Sequence, residues 1–133
     1  PIEKDKIKNI YKNEIFFYKI YQTAQKAKKI MESNSTSLLD EIGGLMNESW
    51  SLKRNLSKKV SNSKIDNLYN FGMNNGAIGA KLLGAGGGGY IVFLSKNQYD
   101  QNRLIKKLKK KIYFKLDQSK KGSEIIYNSW DYK

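Results

Sequence analysis

The sequence contains no cysteine and no histidine among its 133 residues. These two absences exclude thiol nucleophiles, disulfide bonds, imidazole bases and every zinc site that is built from cysteine or histidine ligands. No run of apolar residues is long enough to span a bilayer, and no segment resembles a signal peptide. We therefore expect a cytoplasmic protein with no membrane partner, and the length predicts a single domain over residues 1–133.

Arginine is also scarce, because only Arg54 and Arg103 of the 25 basic residues are arginines. The formal net charge of +13 would suit nucleic acid as a partner. Recognition of base edges and bidentate binding of phosphate both favour the arginine fork, however, and the lysines are spread over the whole chain. We therefore expect no nucleic-acid partner. The weaker alternative, a nucleic-acid binder, predicts binding that falls steeply with salt.

Three helices are predicted in the first part of the chain from apolar residues that recur at steps of three and four. The first covers residues 4–31. The second begins after Ser37 and the third after Ser63, because each serine is followed three residues later by an aspartate, as at a helix N-terminus. Asp66 is accordingly assigned to helix capping. The third helix is predicted to end at residues 74–76, where asparagine and glycine tolerate the left-handed conformation.

Strand-forming segments dominate the later part of the chain. Residues 78–83 and 90–94 are short apolar runs, residues 112–116 alternate with the period of a half-buried strand, and residues 124–127 form a last run. A fourth helix is predicted over residues 98–110, with its lysines facing solvent. This order predicts an α+β fold, with a small antiparallel four-stranded sheet and helices packed on one face.

The loop between the first two predicted strands is almost free of side chains, since every residue from Gly84 to Gly89 except Ala85 is glycine. Glycine loses more conformational entropy on folding than any other residue, so the run indicates a tight bend or a close approach. Although Gly84, Gly86 and Gly89 satisfy the dinucleotide fingerprint GxGxxG, the loop opens a strand and not a helix, so that site is rejected. No Gly-Lys-Ser or Gly-Lys-Thr closes a Walker A loop. A hairpin for packing and a concavity of amides near an anion remain as alternatives.

The segment GAIGAKLLGAGGGG, residues 76–89, closely resembles the third signature motif of the GHMP kinase superfamily, which includes galactokinase, homoserine kinase, mevalonate kinase and phosphomevalonate kinase. Residues 45–57 and the closing residues 122–127 look, more narrowly, like the kinases of D-glycero-D-manno-heptose 7-phosphate. The resemblance implies the ferredoxin-like C-terminal domain of a two-domain kinase. Its partner would be an N-terminal kinase domain, which carries the ATP loop PxxxGLGSSA and the usual catalytic aspartate.

The resemblance further implies a sugar kinase that transfers the γ-phosphoryl group of ATP, with magnesium, to the anomeric hydroxyl of a heptose 7-phosphate, for bacterial surface polysaccharide synthesis. No catalytic residue and no metal ligand is assigned to this chain, and the chain alone is expected to be inactive. An alternative of a different class is a stand-alone module that binds a phosphate or a sugar phosphate without catalysis.

Carried onto this sequence, the resemblance places the glycine loop next to the nucleotide phosphates, with the residues Gly84, Ala85, Gly86, Gly87, Gly88 and Gly89. The candidates for the side of the cleft that holds the sugar phosphate are Trp50, Lys53, Arg54, Ser57 and Lys81. Lys53 or Arg54 can pair with the phosphate of the acceptor, and their alternative is a solvated surface position. Trp50 either lines the cleft or covers the core, and Lys81 either lies near phosphate or forms a salt bridge to a helix.

Overall fold

Four helices and a two-stranded antiparallel sheet form an α+β fold in the described part of the chain. The computed structural model describes residues 4, 7, 9–108 and 113–116. Along the chain the elements are α1 (Glu14–Glu32), α2 (Leu38–Asn55), α3 (Ser63–Met73), β1 (Gly79–Leu82), β2 (Ile91–Leu94) and α4 (Gln98–Leu108). None of the helices in these ranges is both long and apolar enough to cross a bilayer.

The helix predicted over residues 4–31 is interrupted, since Lys4 and Ile7 are helical, residues 9–13 form turns, and α1 begins at Glu14. The apolar periodicity does not reveal this break, since the turns keep helix-like hydrogen bonds: the amide of Asn13 donates to the carbonyls of Asn9 at 2.9 Å and Ile10 at 3.1 Å. The side chain of Asn13 is buried and donates to the Leu56 carbonyl at 2.9 Å. The start of α1 is therefore held at the end of α2.

The second helix starts where it was predicted, but Ser37 does not cap it with its side chain. The hydroxyls of Ser35 and Ser37 instead each donate to Glu41 Oε1 at 2.5 Å. These two hydrogen bonds lower the pKa of the Glu41 carboxyl, with the bond from Ser35 as the larger cause.

The third helix is capped by Asn62, one residue before the predicted position. Asn62 has an extended backbone, and its Oδ1 accepts from the amides of Lys64 and Ile65 at 3.1 Å each. The prediction that Asp66 caps this helix is wrong. Its carboxylate lies in the first turn and accepts from the Ser61 hydroxyl at 2.6 Å.

The sheet pairs Gly79 with Leu94 and Leu82 with Ile91. Two of the four predicted strands are therefore confirmed. Residues 113–116 are exposed and are not in a strand, so the strand predicted over residues 112–116 is wrong for these four residues, and the one predicted over residues 124–127 lies outside the described residues. Alternation alone is not sufficient, because a strand also needs a paired neighbour.

The core lies between α2, α3 and β1. Trp50, Val60, Ile65 and Leu82 form its buried centre, with Tyr69 and Ile91 packed against it. The backbones of α2 and β1 come unusually close, since a Cβ on Gly79 would lie 2.5 Å from Cα of Gly43. This contact requires glycine, and it packs the start of β1 against the first half of α2.

Candidate functional site

The glycine loop, residues 84–89, connects β1 to β2 and has a backbone that ordinary residues rarely adopt. Its φ angles are positive at Gly84 (78°), Gly86 (120°), Gly87 (75°) and Gly89 (107°). L-residues with a side chain are disfavoured in this region of backbone space, so the bend itself requires glycine at these four positions.

The loop also packs closely on the connection between α2 and α3, residues 56–62. The amide of Gly87 donates to the Val60 carbonyl at 2.8 Å, and Asn62 Nδ2 donates to the Gly87 carbonyl at 3.3 Å. At Gly86 a Cβ would lie 2.8 Å from Cα of Val60. Both reasons for glycine, a tight bend and a close approach, therefore apply in this loop.

Lys53 contacts the loop from the end of α2. Its ammonium group donates to the Leu82 carbonyl at 3.2 Å and to the carbonyl of Gly84. The structure thus brings the predicted acceptor-side residue Lys53 to the glycine loop through a hydrogen bond.

Four amides of the loop remain without an acceptor inside the described ranges, at Gly84, Gly86, Gly88 and Gly89. Gly84, Gly88 and Gly89 are exposed and Gly86 is half-buried. Unpaired amides in a bend of glycines can bind an anion when they point to the same side. The loop therefore keeps the alternative of an anion site that the sequence left open.

The other acceptor-side candidates have different surroundings. Arg54 forms an ion pair with Asp66, with 3.2 Å between Nη2 and Oδ2. Trp50 is 1% exposed and belongs to the core, and its Nε1 has no hydrogen-bond partner within the described ranges. Ser57 is buried, and its hydroxyl accepts from the amide of Lys59 at 3.2 Å. Trp50 therefore covers the core, as its packing alternative expected. Arg54 lies at the surface, where its charge is paired with Asp66.

Lys81 is directed away from the loop hydrogen bonds into a groove between α1 and α2. The groove has a volume of about 230 Å³ and mostly apolar walls from both helices. Nζ of Lys81 donates to the hydroxyl of Ser49 at 3.2 Å. Lys81 thus has a polar helix neighbour, as the helix-contact alternative expected, but the neighbour is a hydroxyl and not a carboxylate.

Asn47 has a positioning role that the sequence reasoning missed. Its Oδ1 accepts from the Tyr69 hydroxyl at 2.9 Å and from the Ala80 amide at 3.0 Å, and its Nδ2 donates to the Ile78 carbonyl at 3.1 Å. One side chain of α2 therefore connects α3 and β1 just before the glycine loop. Burial raises the pKa of Tyr69, although Arg54 opposes this shift, so the hydroxyl stays a donor at neutral pH. The sequence signal that could have identified Asn47 is its spacing, because a polar residue four positions after Gly43 lies on the same side of α2.

The donor set of the described ranges does not fit a metal centre. The sequence has no cysteine or histidine, and no three Asp or Glu side chains come together in the part of the chain that the structure describes.

Comparisons with known proteins agree on one protein family. The family model described as GHMP kinases C terminal matches residues 23–113. The bifunctional fucokinase/GDP-fucose pyrophosphorylase of Arabidopsis thaliana is 30% identical over 105 residues, which is 79% of this chain and 10% of that protein. The D-glycero-alpha-D-manno-heptose 7-phosphate kinase of Campylobacter jejuni is 33% identical over 86 residues, which is 65% of this chain and 25% of that protein.

A third curated relative and a solved structure agree with this result. The galactokinase of Dictyostelium discoideum is 42% identical over 62 residues, which is 47% of this chain and 12% of that protein. The crystal structure of L. major mevalonate kinase in complex with R-mevalonate superposes with a TM-score of 0.68 at 26% identity, over 81% of this chain and 33% of that one. The chain thus spans a quarter or less of these curated relatives.

Proposed function

The chain belongs to the family of GHMP kinase C-terminal domains, and from this membership we propose that it is the C-terminal part of an ATP-dependent sugar kinase. Its curated relatives are kinases, named for fucose, a heptose 7-phosphate and galactose. Because these names differ in the sugar, membership alone does not select the acceptor. We propose D-glycero-D-manno-heptose 7-phosphate, since residues 45–57 and 122–127 resemble that kinase more narrowly than the shared glycine motif does, and that kinase is among the curated relatives at 33% identity.

The observation that carries the proposal is the set of amides in the glycine loop that have no acceptor within the described residues. Phosphoryl transfer depends mainly on positioning and on stabilising negative charge, with little covalent help from the protein. The amides of Gly84, Gly86, Gly88 and Gly89 are unpaired in the described chain. Because these residues are glycines, they carry no side chain that would keep a phosphate away from their own amides. A triphosphate is the ligand that such a surface would accept in a kinase.

In the proposed reaction the anomeric oxygen of the sugar attacks the γ-phosphorus of ATP. The bond between this phosphorus and the β–γ bridging oxygen breaks, ADP leaves, and the hydroxyl proton passes to a base. No base of this chain lies in the glycine loop, so we assign it to the remainder of the kinase. No group of three or more acidic side chains that could hold a metal ion occurs in the described residues, so we assign no magnesium ligand and no step of the metal to this chain.

The partner that we propose is an N-terminal kinase domain of the same protein, acting in the cytoplasm, where ATP is available. Two apolar side chains at the ends of the glycine loop support a covering partner, since Leu83 is 44% and Tyr90 is 64% exposed. Exposed apolar residues beside a backbone site are typical of a surface that another protein surface covers.

The test is a kinase assay on the complete gene product that contains this chain. ADP release and ³¹P NMR of the product are measured with ATP and, separately, with heptose 7-phosphate, galactose and fucose. Phosphorylation of the heptose phosphate alone supports the proposal. Phosphorylation of galactose or fucose instead refutes the acceptor but keeps the sugar kinase, and no phosphorylation of any sugar refutes the kinase.

The loop is tested in the same assay by Gly88→Val. A Cβ at Gly88 meets nothing within 4 Å and the φ angle is not positive, so the substitution should leave the fold intact. The isopropyl group would block the approach of phosphate, and we expect the KM for ATP to rise about tenfold or more. Gly44→Val is the matched control, because Gly44 is also exposed with open space. Equal kinetics for both variants would refute a phosphate site at the loop.

A further inference from the structure

Lys53, near the end of α2, donates hydrogen bonds from its ammonium group to the backbone at the start of the glycine loop. Nζ donates to the carbonyl of Leu82, the last residue of β1, and to the carbonyl of Gly84, the first glycine of the loop. A charged donor makes a stronger hydrogen bond to a carbonyl than a neutral one does. Lys53 therefore joins α2 to the first turn of the loop.

These bonds control amides as well as carbonyls, because each peptide unit is planar and its C=O and N–H point in opposite directions. Holding the Leu82 carbonyl sets the direction of the Leu83 amide, which donates to the Tyr90 carbonyl at 2.8 Å across the hairpin. Holding the Gly84 carbonyl sets the plane of the peptide between Gly84 and Ala85 in the same way.

Further along, the connection between α2 and α3 holds two more peptide units. The Gly87 amide donates to Val60, so the unit between Gly86 and Gly87 is held, and Asn62 holds the unit between Gly87 and Gly88 through the Gly87 carbonyl. The units that donate the amides of Gly84 and Gly86 lie between held units. Their amides are among those without an acceptor in the described ranges.

We propose that Lys53 is a positioning residue, which fixes alternate peptide planes of the glycine loop so that the amides of Gly84 and Gly86 face a bound phosphate. The inference rests on the proposed phosphate role of the loop. It assigns Lys53 to the nucleotide side and not to the phosphate of the acceptor sugar. Without this contact a loop of glycines would sample many conformations, and ordering it on binding would weaken phosphate binding about tenfold.

The experiment uses the isotope-labelled chain of 133 residues and three variants. Lys53→Met removes the donor and the charge, Lys53→Arg keeps both, and Lys58→Met is the control, since Lys58 is an exposed lysine of the α2–α3 connection. NMR first measures, without ligand, the carbonyl ¹³C shifts of Leu82 and Gly84 and the order of the loop amides. A titration with inorganic tripolyphosphate and magnesium then measures affinity at the same amides.

We expect Lys53→Met to move both carbonyl shifts, to lower the order of the Gly84 and Gly86 amides, and to weaken tripolyphosphate binding about tenfold. Lys53→Arg should restore much of each and Lys58→Met should change none. Unchanged signals of Leu104, a buried residue of α4, would show that each variant is folded. Unchanged loop order or unchanged affinity in Lys53→Met overturns the inference alone. Wild-type glycine amides that do not respond to tripolyphosphate overturn the inference through the phosphate role of the loop, whereas the proposed sugar kinase is refuted separately by the kinase assay on the complete gene product.

Discussion

Two adjacent glycines of α2 have opposite surroundings, and alanine at each should change stability in opposite directions. A Cβ on Gly44 meets nothing within 4 Å, whereas a Cβ on Gly43 would lie 2.9 Å from the carbonyl oxygen of Ile78 and 3.1 Å from its carbon. Both of these atoms belong to the backbone before β1, so no rotation of a side chain can relieve the contact. Gly43→Ala and Gly44→Ala therefore make the same chemical change in the same helix, and they differ only in what the added methyl group contacts.

The magnitudes follow from two opposing effects. Replacing glycine by alanine inside a helix stabilises it by about 1 kcal/mol, and at Gly44 this is the whole effect. At Gly43 the same gain is opposed by overpacking, which costs about 1–3 kcal/mol when neighbouring backbone must move. We expect Gly44→Ala to raise the free energy of unfolding by up to about 1 kcal/mol and Gly43→Ala to lower it by up to about 2 kcal/mol.

The assay is equilibrium unfolding in urea, followed by far-UV circular dichroism on wild type and both variants in the same buffer. Because Gly43 lies where α2 contacts β1, Gly43→Ala should also move the NMR signals of the glycine loop, and Gly44→Ala should not. Equal stabilisation by the two alanines would refute the close approach of α2 to β1. A stabilising Gly43→Ala with unmoved loop signals would refute it more directly.

Three further predictions follow from the packing around the loop. Asn47→Ala leaves three polar groups without their partner and should cost about 2–4 kcal/mol in urea unfolding, against about 0.5 kcal/mol or less for Asn55→Ala, whose bond is exposed and lies within α2. Equal costs would contradict the role of Asn47. Gly86→Ala combines a positive φ with a Cβ 2.8 Å from Val60, so it should lower the free energy of unfolding by about 1–3 kcal/mol. Gly88→Ala should change the free energy of unfolding by about zero, because its Cβ meets open space. A larger loss of stability in Gly88→Ala than in Gly86→Ala would contradict the loop conformation. Burial raises the pKa of Tyr69, so the folded state keeps this proton while the unfolded state loses it above about pH 10. The stability advantage of wild type over Tyr69→Phe should therefore be complete below about pH 10 and shrink as pH rises further, and a constant difference from about pH 8 to about pH 11 would contradict it.

Much of the fold was predictable because local patterns determine it. The starts of α2 and α3 and the end of α3 followed from short polar signals, and both strands beside the glycine loop followed from apolar runs. The individual hydrogen bonds at those ends did not follow, as Ser37 and Asp66 show. Several short polar side chains near a helix start can accept or donate, and the choice among them depends on backbone angles that differ by tens of degrees.

The candidate site divides in the same way. The sequence by itself predicted a tight bend or a close approach at residues 84–89 from its five glycines, and it also determined the family. The positive φ angles of Gly84, Gly86, Gly87 and Gly89 confirm the bend. Only the tertiary structure decided which side chains reach the loop. Lys53 and Arg54 are adjacent and both cationic, yet Lys53 contacts the loop and Arg54 pairs with Asp66 on α3.

The physical reason is the geometry of a helix. Successive residues of α2 point about 100° apart, so the same charge is directed to different neighbours, and those neighbours are set by the distance between α2 and β1. That distance depends on Gly43 and Gly79, whose backbones touch although 36 residues separate them in the chain. Local sequence determines what each segment can become, and the contact between distant segments decides which of its groups meet.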